Sequence, residues 1–191
     1  MGQRLNIEIH NNGELLANCY YHWAAYTDSA LELATDALDA YCGELCEKLK
    51  NPKQKAIVML YATGASMQDK NELLLAKNIM KGVDNWEFPD KFEPDRNDGL
   101  INVTKEGMQE TRDWEEGRVI IDIGQEVIDF NVMFYCDEDE LEEEEIKSIE
   151  DLNYYTREVP FRDWDSFKDD LENIADYFKD LDGDCLMGKI Q

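Results

Sequence analysis

RLNIEIHNNGELLANCYYHW, residues 4–23, is the stretch from which the fold can be read. Leu5, Ile7 and Ile9 alternate with polar neighbours, the period of a strand with one buried face. Asn11, Asn12 and Gly13 tolerate positive φ and reverse the chain, so ELLANCYYHW returns as the partner strand of a hairpin. Downstream, RVIIDI (118–123) and VIDFNVMFY (127–135) flank Gly124-Gln125-Glu126 and read as a second hairpin, rich in β-branched and aromatic residues. Its last residues run into the acidic stretch considered below.

Helical periods fill the space between the hairpins. Thr27 or Asp28 caps a helix whose Leu31, Ala34, Leu38, Tyr41, Leu45 and Leu49 form one apolar stripe, expected to lie across the sheet. Asn51-Pro52 opens a second helix through KAIVMLYA, which stops near Gly64. Ser66 and Asp69 resemble a capping box for a third helix closed by Gly82. Residues 83–99 read as a loop held down by Trp86, Phe88 and Phe92. Leu100 to Val103 suggest a short strand, TKEGMQETRDWEE a short helix weakened by Gly107, and NYYTREV an edge strand. Asp163 or Asp165 caps a final helix with Phe167, Leu171, Ile174, Phe178 and Leu181 on one face. The expected class is α+β, an antiparallel sheet from two hairpins (about 3–22 and 118–136) packed by several amphipathic helices. One domain spanning 1–191 is expected, with 1–82 and 100–191 as sub-lobes.

Charge is the chain's most unusual property. Its 191 residues carry a formal net charge of -25. Residues 1–96 hold 15 acids and 10 bases, whereas residues 97–191 hold 29 acids and 9 bases. Direct binding to DNA or RNA is disfavoured by that sign. No run of apolar residues reaches the roughly 18 a membrane span needs, and MGQRLNIEIHNNG lacks the apolar core of a signal peptide, so a cytoplasmic setting is expected. Five cysteines without framework spacing suit reduced thiols.

Motifs for chemistry are sparse. Cys19, His22, Cys42 and Cys46 form a formal zinc set, but positions 19 and 22 fall on opposite faces of a strand, and the two helical cysteines suit packing. A Cys19-His22 nucleophile lacks an oxyanion loop and an orienting third group. His10, beside the Asn-Asn-Gly turn, reads as exposed. Asp180-x-Asp182-Gly183-Asp184 has its glycine out of place for a calcium loop. No phosphate-binding glycine motif occurs, and no catalytic set, metal site or cofactor is expected.

The acidic run itself places eight carboxylates in nine positions: Asp137, Glu138, Asp139, Glu140, Glu142, Glu143, Glu144 and Glu145. As a helix it would set like charges at i,i+4, each pair costing about 0.2–0.5 kcal/mol, a cost that solubility alone does not explain. Neighbouring carboxylates would lie about 5–6 Å apart, a spacing that a groove built for phosphates accepts. Leu141, Ile146 and Ile149 are internal apolar anchors, and Asp169, Asp170, Glu172 and Asp176 add a second acidic ridge. These twelve acids are the candidate partner-binding residues.

A small, acidic chain without enzymatic motifs is similar to the proteins that phages and prophages carry against host defences, most like anti-CRISPR proteins that occupy the DNA-binding or PAM-reading cleft of Cas9. Residues 4–33 also resemble phage and prophage proteins of Gram-positive bacteria, a likeness that assigns no functional residue. The resemblance implies a stoichiometric, non-enzymatic inhibitor that competes with nucleic acid for a basic protein, Cas9 being the preferred candidate. The rival expectations are an enzyme using His22, Cys19 and nearby tyrosines on a small defence signal, and an adaptor that forms a homodimer through Trp86–Phe92 or Ile57–Leu60.

Overall fold

Alternation in the first hairpin becomes two antiparallel strands, β1 (Leu5–Asn11) and β2 (Glu14–Tyr21). The computed structural model describes residues 4–25, 27–88, 99–113, 116–132 and 155–171. Asn12 and Gly13 take the left-handed φ values of 53° and 82° that a two-residue hairpin turn requires. There follow α1 (Thr27–Cys42), α2 (Glu44–Lys48), α3 (Pro52–Ala62) and α4 (Lys70–Ile79). After β3 (Leu100–Asn102) and α5 (Lys105–Arg112) comes the second hairpin, β4 (Gly117–Asp122) and β5 (Val127–Val132). The described chain then holds β6 (Tyr155–Pro160), a 3-10 turn (Phe161–Asp163) and a helix over 164–171, α6.

The class is α+β, with one six-stranded sheet in the order β3-β2-β1-β4-β5-β6. The two hairpins do not meet edge to edge in the antiparallel sense: β1 and β4 run parallel, Leu5 opposite Gly117 through His10 opposite Asp122. All other neighbours are antiparallel. This central pair joins strands from both halves of the sequence.

One sheet face carries Leu5, Ile7, Ile9, Cys19, Ile101, Val119, Ile121, Ile128 and Phe130, all fully buried. Against it pack α1 and α3, with Ala30, Ala34, Ala37, Ile57, Met59 and Leu60 fully buried. Burying each large aliphatic side chain contributes about 1.5–3 kcal/mol before the entropy of ordering it. The expected dimer surface at Ile57–Leu60 is therefore core. Trp164 and Phe167 of α6 meet Phe130 at ring-centroid distances of 6.0 and 5.5 Å.

Three local expectations are corrected. The first helix does not continue to Leu49: it breaks at Gly43, whose backbone is extended (φ -76°, ψ 158°), and restarts as α2. Asp69 alone caps α4, accepting from the backbone N–H of Asn71 and Glu72, while Ser66 instead bridges to the β3 segment. Gly107 does not merely weaken α5, because a side chain there would strike Glu72 and lie 3.0 Å from Asn102 Oδ1. That close approach lets Glu72 accept from the backbone N–H of Thr104 at 2.8 Å and tie α4 to the start of α5.

The hairpin turns are joined by one side chain. Asp122 accepts from the backbone N–H of Asn12 at 2.8 Å, Gly13 at 2.7 Å, Gly124 at 2.9 Å and Gln125 at 3.0 Å. Its parallel register opposite His10 sets it beside the first turn, and Gly124 admits Asn12, since a Cβ at 124 would lie 2.6 Å from Asn12 Nδ2.

Candidate functional site

Asp137–Glu145, with Leu141, Ile146 and Ile149, lies outside the described residues, as do Glu172, Asp176, Phe92 and the Asp180–Asp184 segment. Asp169 and Asp170 are described, and both are exposed on α6. Trp164 determines how that helix sits: its ring is buried and its Nε1–H donates to Thr35 Oγ1 of α1 at 3.0 Å. The hydrogen bond ties the start of α6 to α1. On α1 it sits beside a ridge that the apolar stripe had drawn attention away from, formed by exposed Glu32, Asp36 and Asp39. Spacings of four and three place these acids on one helical face.

Thr27–Cys42 contains no lysine or arginine to offset the ridge. Burial, and then repulsion from Glu32 and Asp39, raise the Asp36 carboxyl above the ordinary aspartate value. On α6 and its preceding turn the exposed acids Asp163, Asp165, Asp169 and Asp170 are accompanied by Arg162 and Lys168, the former 3.7 Å from Asp163. Both α1 and α6 thus present carboxylates to solvent, the predicted Asp169 and Asp170 among them.

The opposite side of the sheet carries a second, unexpected feature. Alternation along β1 assigns Asn6, Glu8 and His10 to the polar side, yet Asn6 and Glu8 are fully buried. Helix α5 covers part of this face: Asn18 donates from Nδ2 to Met108 O and to Thr111 Oγ1, both at 3.1 Å. Arg112, at the end of α5, brings its Nε to 2.6 Å from Glu8 Oε1, off the direction of the N–H, so the contact is Coulombic more than a directed hydrogen bond. His10 Nε2 lies 2.7 Å from Glu8 Oε2, and Arg118 Nε 3.9 Å from Oε1. His10 is not exposed as expected, since its side chain retains 13% of its surface.

Burial alone would raise the Glu8 carboxyl, but the His10 hydrogen bond and the charges of Arg112 and Arg118 outweigh it and hold the group below its ordinary value. Asn6, which pairs in register with Arg118, has neither amide atom hydrogen-bonded. An orphaned buried amide costs about 1–3 kcal/mol. Glu8 and His10 escaped the sequence reading because charged residues alternating with isoleucine ordinarily face water; the signal for their burial was the presence of Arg112 and Arg118 far along the chain.

Cys19 lies on the apolar face, buried and with its thiol pushed up by desolvation. His22 sits exposed beyond β2, where Tyr20 Oη lies 3.0 Å from its Nδ1. Cys46 is buried and Cys42 exposed. Among the described residues, which include Cys19, His22, Cys42 and Cys46, no group of three or more His, Cys, Asp or Glu side chains could hold a metal ion. Nor is any described helix long and apolar enough to cross a membrane.

Comparison of the chain with protein-family models, curated proteins and solved structures gives no match.

Proposed function

We propose that this chain is a non-enzymatic acidic inhibitor that occupies the nucleic-acid cleft of a basic host defence protein, Cas9 being the preferred candidate, by offering carboxylates where that cleft takes phosphates. The observation that carries this reading is the ridge Glu32-Asp36-Asp39, exposed on α1, a helix without lysine or arginine, with further exposed acids on α6. Like charges at these spacings oppose helix stability by about 0.2–0.5 kcal/mol per pair, so their retention fits a role in binding. The gain on association is release of counterions from both surfaces, with a fast, electrostatically steered encounter. The remaining acids of residues 97–191 extend the same sign of charge.

The test is competition. Purified protein is titrated into a preformed complex of guide-loaded Cas9 with fluorescent target DNA, and inhibition should saturate at a fixed stoichiometry and weaken steeply as salt rises. Continued turnover of a small defence-signal nucleotide by substoichiometric protein, with no displacement of DNA, would establish the enzyme reading in its place.

A further inference from the structure

Helix α4 turns its one acid inward and its bases outward. Glu72 is buried and its side chain accepts from the backbone N–H of Thr104 at 2.8 Å, whereas Lys70, Lys77 and, just past the helix, Lys81 are exposed. Asp69 caps the start of the helix and Asp84 follows its end. None of the three lysines forms an ion pair among the described residues. Leu74 and Leu75 stand on the same outward face with 62% and 38% of their surface exposed, although aliphatic groups of that size ordinarily form the buried stripe of a helix. Spacings of four and three put Lys70, Leu74 and Lys77 in one line, beside Asn71, Leu75 and Asn78. We propose that this basic, leucine-bearing face of α4 docks a second copy of the chain, on the acidic ridge of that copy's α1.

The two faces match in spacing and in charge. Glu32, Asp36 and Asp39 recur at the same intervals as Lys70, Leu74 and Lys77, so two facing helices set Lys70 and Lys77 against Glu32 and Asp39 over the same length of helix, about 10 Å. Leu33 and Ala40, both half-buried, border the ridge and offer an apolar margin to Leu74 and Leu75. Burial, and then Glu32 and Asp39, disfavour the charged form of Asp36, and an ammonium group brought close relieves it. Charge also selects among occupants. Residues 48–81 hold seven of the chain's 19 bases and only two of its 44 acids. An anionic bilayer is extended and would meet the remaining acids, whereas a ridge one helix wide meets the basic face alone. The net charge of -25 on each copy opposes association at long range, but a Debye length of about 8 Å at physiological salt screens that repulsion more than it screens groups in contact. Each copy carries both faces, so the contact either closes reciprocally into a dimer or continues head to tail. It needs the ridge and no host protein, and so stands apart from the inhibitor reading.

Sedimentation velocity of the full chain alone, at physiological salt and across a concentration series, tests the contact. Wild-type protein should pass from monomer to dimer or larger species as concentration rises. Lys70→Glu/Lys77→Glu and, separately, Glu32→Lys/Asp39→Lys should each weaken association by about tenfold or more. The second variant discriminates, because it lowers the overall negative charge and would strengthen association if net repulsion alone governed it. Mixed in equal amounts, the two variants should associate again, since each supplies the charges that the other has lost. All four positions are exposed, so neither variant removes a core contact, and the wild-type series decides alone should a variant fail to fold. Monomer at every concentration, undiminished association of Glu32→Lys/Asp39→Lys, or no recovery in the mixture overturns the proposal. Monomeric wild type that binds phosphatidylserine vesicles, and loses that binding in Lys70→Glu/Lys77→Glu, would assign the face to a lipid surface and overturn it equally.

Discussion

Glu8 is the residue at which the expected and observed environments differ most. Removing it leaves two guanidinium groups and an imidazole facing one another across a largely dehydrated sheet face. Breaking a buried ion pair costs about 3–5 kcal/mol; because both arginines keep about a third of their surface in water, Glu8→Ala should sit at the low end, a loss of about 3 kcal/mol in urea unfolding. Asp122 is the second carboxylate on which the fold depends. Burial would raise its carboxyl, but the backbone N–H groups of Gly13, Asn12, Gln125 and Gly124 lower it overall. Both Glu8 and Asp122 thus have folded values below their unfolded ones, so their stabilisation is complete above the ordinary carboxylate range and is lost as pH falls through about 4 and below. Asp36 and Asp129, both raised, act in the opposite sense, gaining relief as they protonate. Unfolding measured from pH 7 to pH 2 should show a steep acid limb, and Asp122→Asn should make it shallower while lowering stability at pH 7. Neither carboxylate's role was legible in advance, because each is defined by partners some 100 residues away: Arg112 for Glu8, and Asn12 with Gly13 for Asp122.

At the scale of elements, the hairpins were legible because alternation and turn chemistry are local. Asn12 and Gly13 together require no tertiary information to be read as a turn. Pairing of β1 with β4 was not legible, since each strand offers an apolar face, Leu5, Ile7 and Ile9 on β1 and Val119 and Ile121 on β4, and either sense of pairing would bury it. The contact that discriminates is steric. A Cβ at position 124 would lie 2.6–2.7 Å from atoms of Asn12, so Gly124→Ala should destabilise by about 1–3 kcal/mol, measured by thermal unfolding. Helix α1 offers a test with the reverse sign. Asp36→Lys converts two repulsive contacts, with Glu32 and Asp39, into attractive ones and should raise stability by about 0.5–1 kcal/mol. The same substitution should weaken inhibition, a pairing of outcomes that distinguishes a binding ridge from a solvating one. The break between α1 and α2 escaped sequence reading because the apolar stripe continues through Leu45 and Leu49, both still partly buried against the core, although the backbone does not continue as one helix.

Across the whole molecule, charge is distributed unevenly along the chain. Residues 48–81 carry seven lysines and two acids, in a chain of net charge -25. These lysines lie on α2, α3, α4 and their connections, whereas the acid ridge belongs to α1 and α6. The acidic character and its concentration in residues 97–191 could be read from composition, and the spacing of Glu32, Asp36 and Asp39 on a predicted helix was equally legible; the contact of Trp164 with Thr35, which brings the start of α6 to α1, was not. The measurement that bears most directly on the proposed function compares wild type with Glu32→Gln/Asp36→Asn/Asp39→Asn in displacement of DNA from guide-loaded Cas9, at 50 mM and at 200 mM salt (about the range over which counterion release is largest). Wild-type protein should displace DNA at low salt and lose most of that ability at high salt, and the variant should require about tenfold more protein at low salt with a weaker salt dependence. Equal displacement by variant and wild type, or none by either, would contradict the assignment of this ridge as a surface that imitates nucleic acid.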